Sequence, residues 1–169
     1  MKGKIQFKEE QSFKNTWMFY LVIGVSVLAV AGTVVPIWTN GDTEAIIALA
    51  ISASICIGLV VLFTFSKLTT TIDDRAIYYR YPPFVNKEKK LTHEDLAEVF
   101  VRKYRPIWEY GGWGYRRRPG KGKALNVSGN KGLQIVTKDG KKLLIGTQKA
   151  EDLERAIARL KDNWKELYG

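Results

Sequence analysis

The chain has 169 residues and carries 27 Lys or Arg against 17 Asp or Glu, a formal net charge of +10. It holds one cysteine, Cys56, and one histidine, His93. Together these exclude an intramolecular disulfide and a zinc site built from Cys and His.

Residues 1–16 read as a cytoplasmic N-terminal tail containing Lys2, Lys4, Lys8 and Lys14. Two apolar runs follow, 17–38 and 45–65, without a charged side chain. At 1.5 Å per residue, a run of about 21 residues crosses the roughly 30 Å hydrocarbon core of a bilayer. The first run is too long for the apolar core of a cleavable signal peptide, and a second run follows at once. The sequence therefore predicts an uncleaved transmembrane helical hairpin over 17–65. Its loop, 39–44, contains the turn signal Asn40-Gly41. Lysines flank the outer ends of the hairpin, and the loop carries only Asp42 and Glu44. The positive-inside rule then places both termini in the cytoplasm, in a multi-pass protein of the inner membrane. Trp17, Phe19, Tyr20 and Trp38 suit interfacial belts. Gly24 and Gly32, with Ser52, Ser54 and Gly58, are small enough for close helix approach. Neither run contains an ionisable group, so the hairpin reads as an anchor and not as an ion pathway.

Residues 66–169 read as one small cytoplasmic domain. Short alternating runs predict strands over 67–72, 76–81, 84–91, 96–104, 123–127, 132–137 and 141–146. Thr92 to Asp95 looks like a one-turn helix start, and the glycines of 108–118 like bends or bulges in strands. Leu153, Ala156, Ile157, Leu160, Trp164 and Leu167 recur at helical spacing, with Thr147 as the expected N-cap. About seven antiparallel strands thus precede one C-terminal amphipathic helix, a membrane-anchored α+β chain.

That element order resembles a pleckstrin-homology-like (PH-like) fold. Two N-terminal spans followed by such a domain resemble a family of small bacterial membrane proteins with a cytoplasmic PH-like domain. The likeness is carried by Thr92-His93-Glu94-Asp95-Leu96, by Val101-Arg102-Lys103-Tyr104-Arg105-Pro106 and by Glu109-Tyr110-Gly111-Gly112-Trp113-Gly114-Tyr115. It continues through 126–134 and 142–148 and covers roughly residues 66–167. The resemblance implies an antiparallel β-barrel or sandwich and brings no activity with it.

Candidate chemistry is sparse. Five residues separate Gly114 from Gly120 where a phosphate loop has four, and no Ser or Thr follows Lys121. His93 beside Glu94 and Asp95 lacks a nucleophile, and Ser128 lacks a G-x-S-x-G frame. Asn126-Val127-Ser128 matches a glycosylation sequon, which a cytoplasmic position leaves unused. No enzyme, cofactor or metal is expected. The lead is basic character: Lys87, Lys89 and Lys90 form one cluster, and a denser one lies over 102–123. Arg102, Lys103, Arg105, Arg116, Arg117, Arg118, Lys121 and Lys123 are interleaved there with Trp108 and Trp113. Such a surface beside a membrane suits anionic headgroups or an acidic protein partner. The sequence thus points to a non-catalytic, membrane-anchored binding or scaffolding module. The alternative is an accessory subunit of a transport or export complex, assembled through the hairpin. No nucleic-acid motif is present, and no nucleic-acid partner is expected.

Overall fold

The computed structural model describes residues 3–40 and 43–168. They divide into two compact units: residues 12–66, and residues 3–11 together with 67–168.

The first unit begins with a 3-10 turn, Phe13–Asn15, and two long helices, α1 (Trp17–Asn40) and α2 (Thr43–Phe65). Both are long and apolar enough to cross a membrane. They run two residues further toward each other than the runs 17–38 and 45–65, so the expected loop over 39–44 is shorter. Gly41 and Asp42 of that loop lie outside the described residues. Thr33, Ser52 and Ser54 turn their hydroxyls back onto carbonyls of their own helix, which satisfies them without a partner helix. Cys56 Sγ lies 3.9 Å from the Ser26 carbonyl, marking a line of contact between α1 and α2. The glycines expected to permit close approach are elsewhere: a Cβ on Gly24, Gly32 or Gly58 would meet nothing within 4 Å.

The second unit contains two sheets, where the sequence reading expects a barrel or sandwich of seven antiparallel strands. The first sheet has the order β1-β2-β3-β4, from Phe7–Ser12, Lys67–Ile72, Ala76–Tyr81 and Val85–Thr92. The second is β5-β8-β9-β7-β6. Its strands are β5 (Leu96–Lys103), β6 (Gly114–Arg118), β7 (Gly122–Asn126), β8 (Lys131–Thr137) and β9 (Lys142–Thr147). The sheets do not close into one barrel, and β7 and β9 run parallel.

The strand β1 comes from the segment read as a tail. The Gln6 N–H donates to the Ile72 carbonyl at 2.8 Å, and Lys67 pairs with Glu10. These contacts make β1 and β2 antiparallel neighbours. Covalently, α1 and α2 are therefore an insertion between two paired strands. The Asp73 carboxylate accepts the N–H groups of Arg75 and Ala76 at 2.9 and 2.7 Å, which shapes the β2–β3 turn. The expected helix start at 92–95 is instead a turn, because Asp95 accepts both the N–H and the hydroxyl of Thr92. This turn carries the chain from one sheet to the other.

A short helix α3 (Pro106–Tyr110) and a long helix α4 (Ala150–Tyr168) complete the unit. Leu68, Ile72, Ile77 and Tyr81 of the first sheet, and Leu125, Leu133, Leu144 and Ile145 of the second, are fully buried. Leu153, Ile157, Leu160 and Trp164 of α4 join this core. The Trp164 indole N–H donates to the Arg75 carbonyl at 3.0 Å. Thr147 is the last residue of β9 and not the N-cap of a helix starting beside it. Its hydroxyl accepts the Lys149 N–H, and the first helical turn closes from Leu153 to the Lys149 carbonyl.

Candidate functional site

The basic cluster is assembled by α3 and the edge strand β6. Residues 108–110, expected near bent strands, are helical because Pro106 needs no N–H partner at a helix start. Gly111, at φ 76°, then ends the helix in a left-handed conformation. Its N–H and that of Gly112 close onto the carbonyls of Ile107 and Pro106.

One ion pair holds α3 against β5. Arg102 donates to both carboxylate oxygens of Glu109, at 3.3 and 2.8 Å, and its Nε donates to Gln134 at 3.0 Å. The Arg105 N–H donates to the same Glu109 carboxylate at 2.8 Å. Arg102 is thus half-buried and engaged, a positioning residue within the expected contact set. On the far side, Arg116 Nε donates to the Trp113 carbonyl, and Arg118 donates to the Trp108 carbonyl. Lys103, Arg105, Arg117 and Lys123 are exposed, without an acidic partner among the described residues, and Lys121 is exposed with its charge acting on the Glu109 carboxylate. The two tryptophans diverge. Trp113 is half-buried, its indole N–H bonded to the Gly129 carbonyl at 3.0 Å, whereas Trp108 is 78% exposed and stands beside Ile107 at 60%. Residues 102–123 contain eight Lys or Arg and one Glu, and that Glu109 is occupied.

Beneath this surface lies a hub centred on Asn126, near the end of the strand expected over 123–127. Asn126 is fully buried; its Nδ2 donates to Tyr104 Oη at 2.8 Å and its Oδ1 accepts the Gly114 N–H at 2.8 Å. Tyr81 Oη donates to the Asn126 carbonyl at 3.2 Å. Burial pushes the Tyr104 phenol up to about 12, so it is a neutral partner at physiological pH.

Sequence reasoning also missed a second buried polar group. Glu9 of β1 accepts from the Thr147 hydroxyl at 2.6 Å and from the Gln148 N–H at 2.8 Å. Gln11 donates to the Gly146 carbonyl at 2.7 Å. The only signal in the sequence is the spacing of Phe7, Glu9 and Gln11 at every second position, with two of the three polar. His93 stacks on Tyr168 at 5.0 Å and meets Trp164 edge-on at 5.4 Å. Among the described residues, no three His, Cys, Asp or Glu side chains gather where they would hold a metal.

The hydrogen bond from Arg102, reinforced by the Arg105 N–H, holds the Glu109 carboxyl below its ordinary range. A carboxylate with a lowered folded-state pKa contributes stability above its unfolded value of about 4.3, and that contribution is lost as pH falls through the folded value. Amide exchange over 105–111 should therefore accelerate as pH drops below that range, after correction for intrinsic rates. Glu109→Gln should give fast exchange there already at neutral pH. Equal protection of 105–111 in both proteins at pH 7 would rule out this ion pair as the anchor of α3.

The chain matches no protein-family model and no curated protein.

Proposed function

We propose that this protein is a membrane-anchored, non-catalytic binding module whose basic surface contacts anionic lipid headgroups. The observation that carries the reading is the exposed Ile107–Trp108 pair of α3, set among cations that lack acidic partners. An amphipathic aromatic with flanking Lys or Arg suits the headgroup region. Exposed apolar side chains along the helices, such as Leu28 at 73% and Ile47 at 66%, support a bilayer as their solvent. The lysine-flanked ends and acidic loop support an inner-membrane hairpin with both termini cytoplasmic. Two sheets with a C-terminal helix suit the PH-like architecture of the bacterial family that the sequence resembles, and it is the surface, not the fold, that supports the choice of ligand.

The test uses residues 3–12 joined to 67–168 through a short Gly-Ser linker, sedimented with vesicles of phosphatidylglycerol and phosphatidylcholine. Each cation near such a surface contributes about 1 kcal/mol. Replacing Arg116, Arg117 and Arg118 by Ala should thus weaken binding on the order of 100-fold. Added salt should weaken the parent's binding as well. Ile107→Ser with Trp108→Ser should weaken it further at fixed salt. Binding that ignores both the arginines and the salt would end this reading.

Open space around Gly24, Gly32 and Gly58 favours a second reading, an accessory subunit of a transport or export complex assembled through the helices. A stoichiometric partner copurified in mild detergent, and lost on enlarging those glycines, would support it.

A further inference from the structure

The register of the second sheet places cations where its core would otherwise continue. Across β6, β7 and β9, Tyr115, Leu125 and Ile145 are paired neighbours, and Leu125 and Ile145 are fully buried. Two residues along, the same face carries Arg117, Lys123 and Leu143 in one row. Side chains in register across a sheet share a face, so this row extends the inward side of the sheet. The row borders a groove of about 640 Å³ that also takes Tyr79 of β3 and Leu91 of β4. Both sheets thus contribute to one opening.

A third cation, Lys142, lines the same groove from the start of β9, one residue before Leu143 and so on the opposite side of the strand from the row. Gly122, at φ 86°, passes so near β9 that a Cβ there would lie 2.1 Å from the Lys142 carbonyl oxygen. Only glycine fits, and the β6–β7 turn therefore sits directly against Lys142. The β8–β9 turn opposite is fixed by its own bonds: the Thr137 N–H to the Lys141 carbonyl at 3.0 Å, and the Gly140 N–H to the Thr137 carbonyl at 2.8 Å. The one carboxylate lining the groove, Asp139, is bonded to Thr137 and Lys141. Arg117, Lys123 and Lys142 have no acidic partner among the described residues, while Leu91, Leu143 and the Tyr79 ring supply an apolar floor.

On the reading that this domain contacts anionic lipid, we propose that the groove is a binding site for a single phospholipid molecule, its phosphate held by Arg117, Lys123 and Lys142 and its apolar stem laid on the floor. A guanidinium and two ammonium groups satisfy phosphate oxygens, and the floor distinguishes an esterified phosphate from a free one.

The experiment uses the full-length protein in phosphatidylcholine nanodiscs, with lysine acylation footprinting read by mass spectrometry. The probes are n-hexyl phosphate, inorganic phosphate and hexanol. Hexyl phosphate should protect Lys123 and Lys142 several-fold, at concentrations at least tenfold below any effect of inorganic phosphate. Hexanol should protect neither. Arg117→Gln with Lys142→Gln should abolish protection of Lys123. Uniform protection of Lys103, Lys121, Lys123 and Lys142 would overturn the site, as would equal potency of inorganic phosphate or unchanged protection in the double variant. The surface reading is judged separately, by vesicle sedimentation of Ile107→Ser/Trp108→Ser. Absence of groove protection, with vesicle binding still lost in that variant, removes the groove alone; groove protection, with vesicle binding undiminished in that variant, removes the surface alone.

Discussion

Residues 67–168 expressed without β1 will show no cooperative unfolding transition, and rejoining residues 3–12 through a short linker will restore one. β1 buries Phe7, Glu9 and Gln11, each less than 7% exposed. Burying a Phe side chain contributes about 1.5–3 kcal/mol. Removing Glu9 also strands the Thr147 hydroxyl and the Gln148 N–H, and removing Gln11 strands the Gly146 carbonyl. A buried polar group left unmade costs about 1–3 kcal/mol. The sum is several kcal/mol, against a total of about 5–15 for a domain. Loss of the β1 ladder adds to that, since the edge it covers on β2 becomes open. The Glu10–Lys67 ion pair lies where β1 ends and β2 begins, so a few linker residues suffice. Urea titration followed by far-UV circular dichroism checks this. A transition for 67–168 alone, within about 1 kcal/mol of the fusion, would show that β1 is an accessory strand. Glu9→Ala in the fusion should reproduce part of the loss.

The same strand marks where the sequence stops being readable. A half-buried strand announces itself by apolar residues at alternate positions. In β1 two of the three inward positions are Glu9 and Gln11, which read as a solvated tail until their partners on β9 are known. The helices α1, α2 and α4 were legible because their signals are local: charge-free length in the first two, helical spacing in the third. Strands β2, β3, β5 and β7 to β9 likewise carry their own apolar runs, whereas β4 is a lysine-rich run between Val85 and Leu91, read from the turn signals that bound it. α3 is set by Pro106 and Gly111 against the strand preference of Ile107, Trp108 and Tyr110. β6 is a Gly-Tyr-Arg-Arg-Arg segment with no apolar alternation, recruited by pairing with β7. The parallel pairing of β7 with β9 joins strands separated in sequence by β8, which no local pattern encodes. At the site, composition shows that cations cluster over 102–123. It does not show that Arg102 is bound to Glu109, that Trp113 turns toward Gly129 while Trp108 faces solvent, or that Lys142 joins Arg117 and Lys123. Those depend on register and on the close passage at Gly122.

Asn126→Ala will lower the stability of the fused domain by about 2–5 kcal/mol and weaken vesicle binding without removing a single cation. Asn126 occupies the end of β7, fully buried, where its amide bonds Tyr104 just past the end of β5 and Gly114 at the start of β6. These two partners bracket α3 in the chain, so the amide sets the spacing of the segment that carries Ile107, Trp108 and Arg105. Ala satisfies neither group and leaves space behind it. No larger residue on β9 can fill that space: a Cβ on Gly146 would lie 2.7 Å from Asn126 Cβ and 3.4 Å from Tyr104 Oη. Tyr104→Phe removes only one of the bonds, and should cost about 1–2 kcal/mol with α3 less disturbed. The double variant should fall short of the sum of the two, because both single changes break the same Tyr104–Asn126 bond. Strict additivity would mean that Asn126 acts through Gly114 alone. Unchanged vesicle binding by a destabilised Asn126→Ala would mean that the cations reach lipid whatever the position of α3, and that Ile107 and Trp108 contribute nothing to contact.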